Sequence, residues 1–398
     1  MDAYLPDAVL LGQRFEPGMA VLAGPSDAAA GAPRIVAICP AAEVPDSARC
    51  HRLQGLLAPG YVEIQINGCG GVIFTEDPTA EAILRMDEVL CRRGVTSFLP
   101  TLITASDATI DAGLDAVRSA MAERPSVLGM HLEGPHLSLA KPGTHARDLI
   151  RPMGPADQDR IVEAARDGVI RLLTFALESV EMRQIEPLAA SGATLSLGHT
   201  AAPAADVIEA HARGVAMLTH LYNGMPPLAG RDPGPVGAVF ASGTLAASII
   251  PDGHHVDDVS IRAAARALGD RLVMTSDATA SVEGGEGPFL FGGYTSRIEN
   301  GVVRNHAGAL AGAATLLDEL VPRMARLLGD PGRAAWMAGE GPARLIGVAD
   351  EVGRLAPGLR ADFVLLDAGT LALRAVWRGG ERVASPDRQV RPAEAVRS

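Results

Sequence analysis

Lysine is almost missing from this chain: Lys141 is the single one among 398 residues, so nearly every positive charge is an arginine. Formal net charge is −12, and no run of Lys and Arg interrupts the sequence. A nucleic-acid binder ordinarily carries a basic patch or stripe, and none can be read here. A few local arginines can still grip one phosphate, so an anionic small substrate stays open. Cysteine is scarce as well. Cys39, Cys50, Cys69 and Cys91 form no C-x-x-C pair and no zinc-finger spacing, which argues for free thiols in a reducing compartment. No apolar run approaches the ~20 residues of a membrane helix. The N-terminus, MDAYLPDAVLLGQRFEPG, lacks the basic start of a signal peptide. The expected location is the cytoplasm. No G-x-G-x-x-G follows a candidate strand, and the GCGG after Asn67 has the wrong spacing, so a Rossmann dinucleotide site has no support.

What is present is an ordinary globular composition, 47% hydrophobic and 21% charged, long enough for one large domain and a small one. From about residue 61 short apolar runs alternate with amphipathic stretches such as AEAILRMDEVLCRRG and ADVIEAHARG. Candidate strands cover 61–67, 95–104, 127–133, 172–178, 194–200, 216–223, 245–252 and 272–278. Eight strand–helix units predict a closed parallel (β/α)8 TIM barrel. The two chain ends read differently, with short, turn-rich segments such as RIVAICP and GRLAPGLRADFVLLD. The expected division is a small β domain from 1–58 and 350–398, with a catalytic barrel over 59–349. The glycine-rich stretch 281–301 is open to two readings, a mobile loop over the site or a β-hairpin excursion.

Nearly every candidate strand turns polar at its C-terminal end: Gln65 and Asn67, Thr101, Glu133, Glu178, His199, His220, Asp252 and Asp277. In a (β/α) barrel that end carries the catalytic groups. Glu133, His199 and His220 supply one carboxylate and two imidazoles, a ligand set suited to a catalytic zinc with one position left for water. Taken singly, a histidine near a strand end is ordinarily hydrogen-bonded within the fold, but three such groups converging on one rim make coincidence a poor explanation. Asp277, in TSDAT, could be a helix N-cap. Its place on the same rim favours a carboxylate that takes a proton from attacking water and returns it to a leaving group.

These residues also carry a resemblance. PGYVEIQINGCGG, HLEGPHLSLAKPGTH, LGHT, THLYNGMPPLAGRDPG, PDGHHV, TSDAT and GALAGA, in this order, resemble the N-acetylglucosamine-6-phosphate deacetylases of the amidohydrolase superfamily. The resemblance runs from about residue 55 to 366. It implies a (β/α)8 barrel with a β-sandwich built from both chain ends, a divalent metal, and hydrolysis of the acetamide of a phosphorylated amino sugar. Carried over, it makes Glu133, His199 and His220 the metal ligands and Asp277 the general acid/base, with His145 at the sugar and the acetamide carbonyl. It puts Asn223, Gly224, Arg231 and His255 around the phosphate, and Thr144 with Leu310, Ala311 and Gly312 at the sugar. The matching arginine reaches a neighbouring subunit's phosphate, which implies a homodimer with Arg231 shared across the interface. His131, His136 and His254 match no role. Many amidohydrolases carry H-x-H at the end of the first strand. Here the position reads Gln65-Ile66-Asn67, and neutral amides are poor zinc ligands, which favours one metal ion per subunit. The expected substrate is N-acetyl-D-glucosamine 6-phosphate. A galacto epimer is the alternative, since one hydroxyl separates the two. A cyclic amidase would ordinarily need two metals. A non-catalytic regulatory barrel would be expected to lose a ligand or the aspartate, and all four residues are present.

Overall fold

A computed structural model describes residues 1–25 and 33–383; the end of the expected C-terminal segment, 384–398, lies outside the described residues. Eight parallel strands form the barrel: Tyr61–Ile66, Val95–Ile103, Met130–Glu133, Ile170–Phe175, Thr194–Leu197, Val215–Leu218, Ala246–Ile249 and Leu272–Met274. Each pairs in parallel with the next in sequence. Between the eighth and the first there is, among the described residues, one parallel bridge, Ile66 to Ala278, in place of a ladder.

The expected strands overran the observed ones mostly at their C-terminal ends. There the backbone of His199, His220 and Asp277 turns left-handed, with φ of 48°, 34° and 53°. Such angles are unfavourable for residues with a Cβ and collect at functional sites.

The helices between the strands follow from local signals. Ala80–Arg92 starts where the Thr79 side chain accepts the Ala82 N–H, and it buries Ile83, Met86 and Leu90 on one face. The chain then turns at Gly94, with φ +82°, where a Cβ would press on the Tyr61 ring at 3.1 Å. Asp257 caps Asp258–Leu268 in the same way, through the Val259 N–H.

At the strands' N-terminal ends Val62, Leu99, Leu128, Leu172, Met217 and Val273 pack against Ala343, Ile346, Val348 and Val352. That end of the barrel is therefore stoppered by the segment following the last barrel helix, and access is confined to the opposite rim. A four-stranded sheet is built from N-terminal strands alone, and a six-stranded sheet combines strands from both ends of the chain. Tyr4, Val9, Val21, Ile35, Leu57, Phe363 and Trp377 fill the space between them. The 281–301 region resolves into an antiparallel excursion, Phe289–Phe291, Tyr294–Glu299 and Val302–Asn305, in agreement with the hairpin reading. All four cysteines are free. No helix among the described residues is long and apolar enough to cross a membrane.

Candidate active site at the C-terminal rim

A cavity of ≈ 270 Å³ opens at the C-terminal rim, near the lower end of the ~300–1,000 Å³ of small-molecule sites. It gathers Glu133, Thr144, His145, His199, His220, Asn223, Gly224, His255, Asp277, Leu310 and Gly312. Ala311 instead turns its side chain into the apolar cluster beneath, with its N–H bound to the Val303 carbonyl. Arg231 is exposed on its loop and does not line the cavity. Sequence reasoning did not assign the lining residues Ile103, Gly143, Ile250, Phe291 and Ala309; Phe291 comes from the antiparallel excursion. Glu178, at a polar strand end, points elsewhere: it accepts the Thr200 hydroxyl and the Ala201 N–H.

One oxygen of Glu133 organises the histidines. Its Oε1 lies 3.0 Å from His220 Nε2, 3.3 Å from His199 Nε2 and 3.9 Å from His145 Nε2. The two nitrogens of His199 and His220 approach to 3.2 Å. Glu133, His145 and His199 also form a compact triad in which each residue offers a ligand atom, so two triads share Glu133 and His199. Hydrogen bonding at the far ring nitrogens separates them. His199 Nδ1 faces the Lys141 carbonyl at 2.8 Å, so Nδ1 carries the proton and Nε2 presents a lone pair. His145 Nδ1 accepts the Thr104 N–H at 3.3 Å, so its Nε2 carries the proton and points into the cavity as a donor. In this tautomer His145 suits an oxyanion better than a cation, while His220 Nε2 is the imidazole nitrogen nearest Glu133 Oε1. Two left-handed glycines fix the His199 ring. A Cβ on Gly143 or on Gly224 would come within 2.9 Å of it.

Strand one supplies two amides. Gln65 Nε2 donates to Glu133 Oε2 at 3.2 Å, and Asn67 Nδ2 donates to Asp277 Oδ1 at 2.7 Å. The Gln-x-Asn pair thus orients the two carboxylates. Burial works to raise Glu133, but the close imidazoles of His199 and His220 hold it well below the usual carboxylate range. Burial, reinforced by the charge of Glu133, pushes Asp277 up to about 6. Burial and the nearby His199 push His145 down to about 3, which keeps it neutral. His255 Nδ1 is held at 2.7 Å by Asp252, whose other oxygen accepts the His254 and His255 N–H groups. His131 lies below the site between Thr174 and Thr101, and His136 bonds the Arg151 carbonyl. Neither of these, nor His254, lines the cavity.

The chain is 39% identical to N-acetylgalactosamine-6-phosphate deacetylase of Shewanella sp. over 82% of its length and 83% of that protein. It is 32% identical to N-acetylglucosamine-6-phosphate deacetylase of Haemophilus influenzae, covering 87% of this chain and 91% of that one. The crystal structure of N-acetylglucosamine-6-phosphate deacetylase from Pasteurella multocida superposes with a TM-score of 0.90 at 31% identity, covering 96% of this chain and 100% of that one. A cavity rimmed by a carboxylate and imidazoles fits a metal-dependent hydrolase barrel, and residues 56–388 match the amidohydrolase family; the chain belongs to that family.

Proposed function

We propose that the chain hydrolyses the acetamide of N-acetyl-D-glucosamine 6-phosphate to D-glucosamine 6-phosphate and acetate. The observation that carries this reading is one buried cavity holding a cation-ready corner, a neutral imidazole donor and an aspartate raised toward neutrality. Relatives named as hexosamine-6-phosphate deacetylases support it. The galacto epimer is the second reading, favoured by the name of the Shewanella relative.

Glu133, His199 and His220 would hold one divalent ion, with zinc suited to the two-His, one-carboxylate set. Such an ion supplies Lewis-acid chemistry, polarising the amide carbonyl and acidifying water. Asp277 takes a proton from the attacking water, oriented for this by Asn67. His145 Nε2–H donates to the oxyanion that develops on the acetyl carbonyl. Asp277 then delivers its proton to the amine as the C–N bond breaks. One carboxylate thus serves as base and then acid. Gln65 and Asn67 are engaged as donors to Glu133 and Asp277, which supports a single metal.

Thr144 and the Leu310–Gly312 backbone are assigned to the sugar, and Asn223, Gly224 and His255 to the phosphate. Arg231, exposed within its own chain, is assigned to the partner's phosphate in a homodimer. The reading also includes a cytoplasmic location and domain boundaries after residues 58 and 349. The deciding experiment is an acetate-release assay on N-acetylglucosamine and N-acetylgalactosamine, each with and without a 6-phosphate, with metal analysis of the same sample. The reading expects the phosphorylated gluco sugar to react fastest, with about one divalent ion per chain. Equal rates without phosphate, or full activity only with two tightly bound ions, would contradict it.

A further inference from the structure

Glu63 is the one acid of the first barrel strand, and it is wholly buried. Its partners are neutral donors from the two strand ends that meet at the barrel seam. Oε1 accepts the Gln65 N–H at 3.0 Å and the Thr275 hydroxyl at 2.5 Å. Oε2 accepts the Ser276 N–H at 3.0 Å. Ser276 directly precedes Asp277, and Gln65 is the amide that donates to Glu133.

This is where the barrel has least regular backbone pairing. The first strand leaves register with the second between Glu63 and Ile66, and the Ile66 N–H is taken by the Thr101 hydroxyl. Toward the eighth strand the main-chain links between 65–68 and 277–278 are few: Asp277 N–H to the Gln65 carbonyl at 3.0 Å, and the Asn67 and Gly68 N–H groups to the Ala278 carbonyl at 2.9 and 3.1 Å. Bulges of this kind occur at barrel rims beside active sites, where they re-aim side chains. Here the re-aimed side chains are Gln65 and Asn67. Asp277 itself sits at φ +53°, a conformation that surrounding bonds must enforce. A buried carboxyl is costly to keep, and an apolar side chain would fill the same space more cheaply if packing were its whole purpose.

We propose that Glu63 is a positioning residue: its carboxyl spans the seam between the first and eighth strands and fixes Asp277 for proton transfer. It never touches the substrate. The inference rests on the reading of Asp277 as the proton shuttle. It holds whether the carboxyl is ionised or protonated, because both forms accept the two backbone N–H groups. Glutamine cannot. Whichever way its amide lies, its NH2 faces either the Ser276 or the Gln65 N–H, and one of these buried donors is left unpaired.

The test measures kcat, KM, metal content and Tm for Glu63→Gln, Thr275→Val and Asp277→Asn alongside the parent enzyme. Displacing a reacting group by about 1 Å can cost ~10²-fold. Glu63→Gln is therefore expected to lose about 10- to 100-fold in kcat, with KM within about twofold and metal content unchanged. Thr275→Val, which removes one of the three donors, should lose kcat in the same direction but less. A Glu63→Gln enzyme with parental kcat overturns the proposal, even if its Tm falls, because the carboxyl would then be purely structural. Loss of metal in that variant also overturns it, since the effect would lie at the ligand corner. If Glu63→Gln does not fold, Thr275→Val decides: lowered kcat at constant KM supports the proposal, and unchanged kcat overturns it. Normal turnover by Asp277→Asn would instead remove the proton-shuttle reading itself. A slow Asp277→Asn beside a normal Glu63→Gln would defeat this inference alone.

Discussion

Glu133 and Asp277 face the same cavity from two sides of the rim, and their surroundings drive them apart. On the side built by the third, fifth and sixth strands, the close imidazoles of His199 and His220 hold Glu133 ionised, well below the usual range. At the seam of the first and eighth strands, burial and the Glu133 charge push Asp277 up to about 6. Two carboxyl groups separated in this way can take different roles, one as a permanent anion and the other as a proton carrier. The backbone differs in step. The side of the proposed ligands pairs through parallel ladders, with register shifts at Met130–His131 and Leu195–Ser196, whereas the seam has one bridge and a few main-chain bonds, joined by side-chain hydrogen bonds. Ligands need a fixed frame, and the proton carrier is placed by a hydrogen-bond network instead.

Three perturbations sharpen this contrast. His145→Ala removes a neutral donor while leaving the ligand corner intact. It should lower kcat by about 10²–10³-fold, the usual effect of losing an oxyanion donor, with metal content unchanged. Loss of metal from that variant would move His145 into the ligand set, as the compact triad with Glu133 and His199 allows.

Arg231→Ala lies outside both halves of the rim. It should raise KM for the phosphorylated substrate by about 10- to 100-fold, as expected for a charge-assisted hydrogen bond of ~1.5–3 kcal/mol. An unphosphorylated analogue should respond hardly at all. Mixing Arg231→Ala with Asp277→Asn chains should restore some activity, because one hybrid site would hold both groups. A fully active monomer would rule out the shared site.

The smallest effect is on the acid limb of the pH profile. Asp277 must be ionised to accept a proton, so kcat/KM should fall about tenfold per unit as pH drops below its pKa. Burial sets that pKa at about 6, and a cation in the ligand corner favours the carboxylate and moves the limb lower. The limb should therefore lie at or below about pH 6. His145, pushed down to about 3, adds no limb of its own near neutrality. A limb well above pH 7 would contradict the assignment.

Much of the barrel was legible because apolar runs ending in polar residues repeat eight times, and local chemistry alone produces that pattern. That Glu133, His199, His220 and Asp277 gather on one rim was legible for the same reason. The left-handed turns that end the strands at His199, His220 and Asp277 were not, because nothing in these residue types requires φ above zero. Nor was the work of Gln65 and Asn67. As poor metal ligands they read as an absence, yet they hold Glu133 and Asp277, 68 and 210 residues away. Glu63 is one polar residue within an apolar strand, and its proposed role rests on contacts with Thr275 and Ser276 across the closed barrel. The proton on His145 is set by the Thr104 N–H, a tertiary contact invisible to spacing. Phe291 reaches the cavity from an excursion whose sequence fitted a loop equally well.

If the two sides of the rim divide the work as proposed, Glu133 holds the metal and Asp277 moves the proton. The most direct test is metal content and kcat measured side by side for Glu133→Gln and Asp277→Asn. Asp277→Asn should keep about one ion per chain while kcat falls by ~10²–10⁴. Glu133→Gln should lose the ion and the activity together. If Asp277→Asn loses its metal, or Glu133→Gln keeps it, the division does not exist.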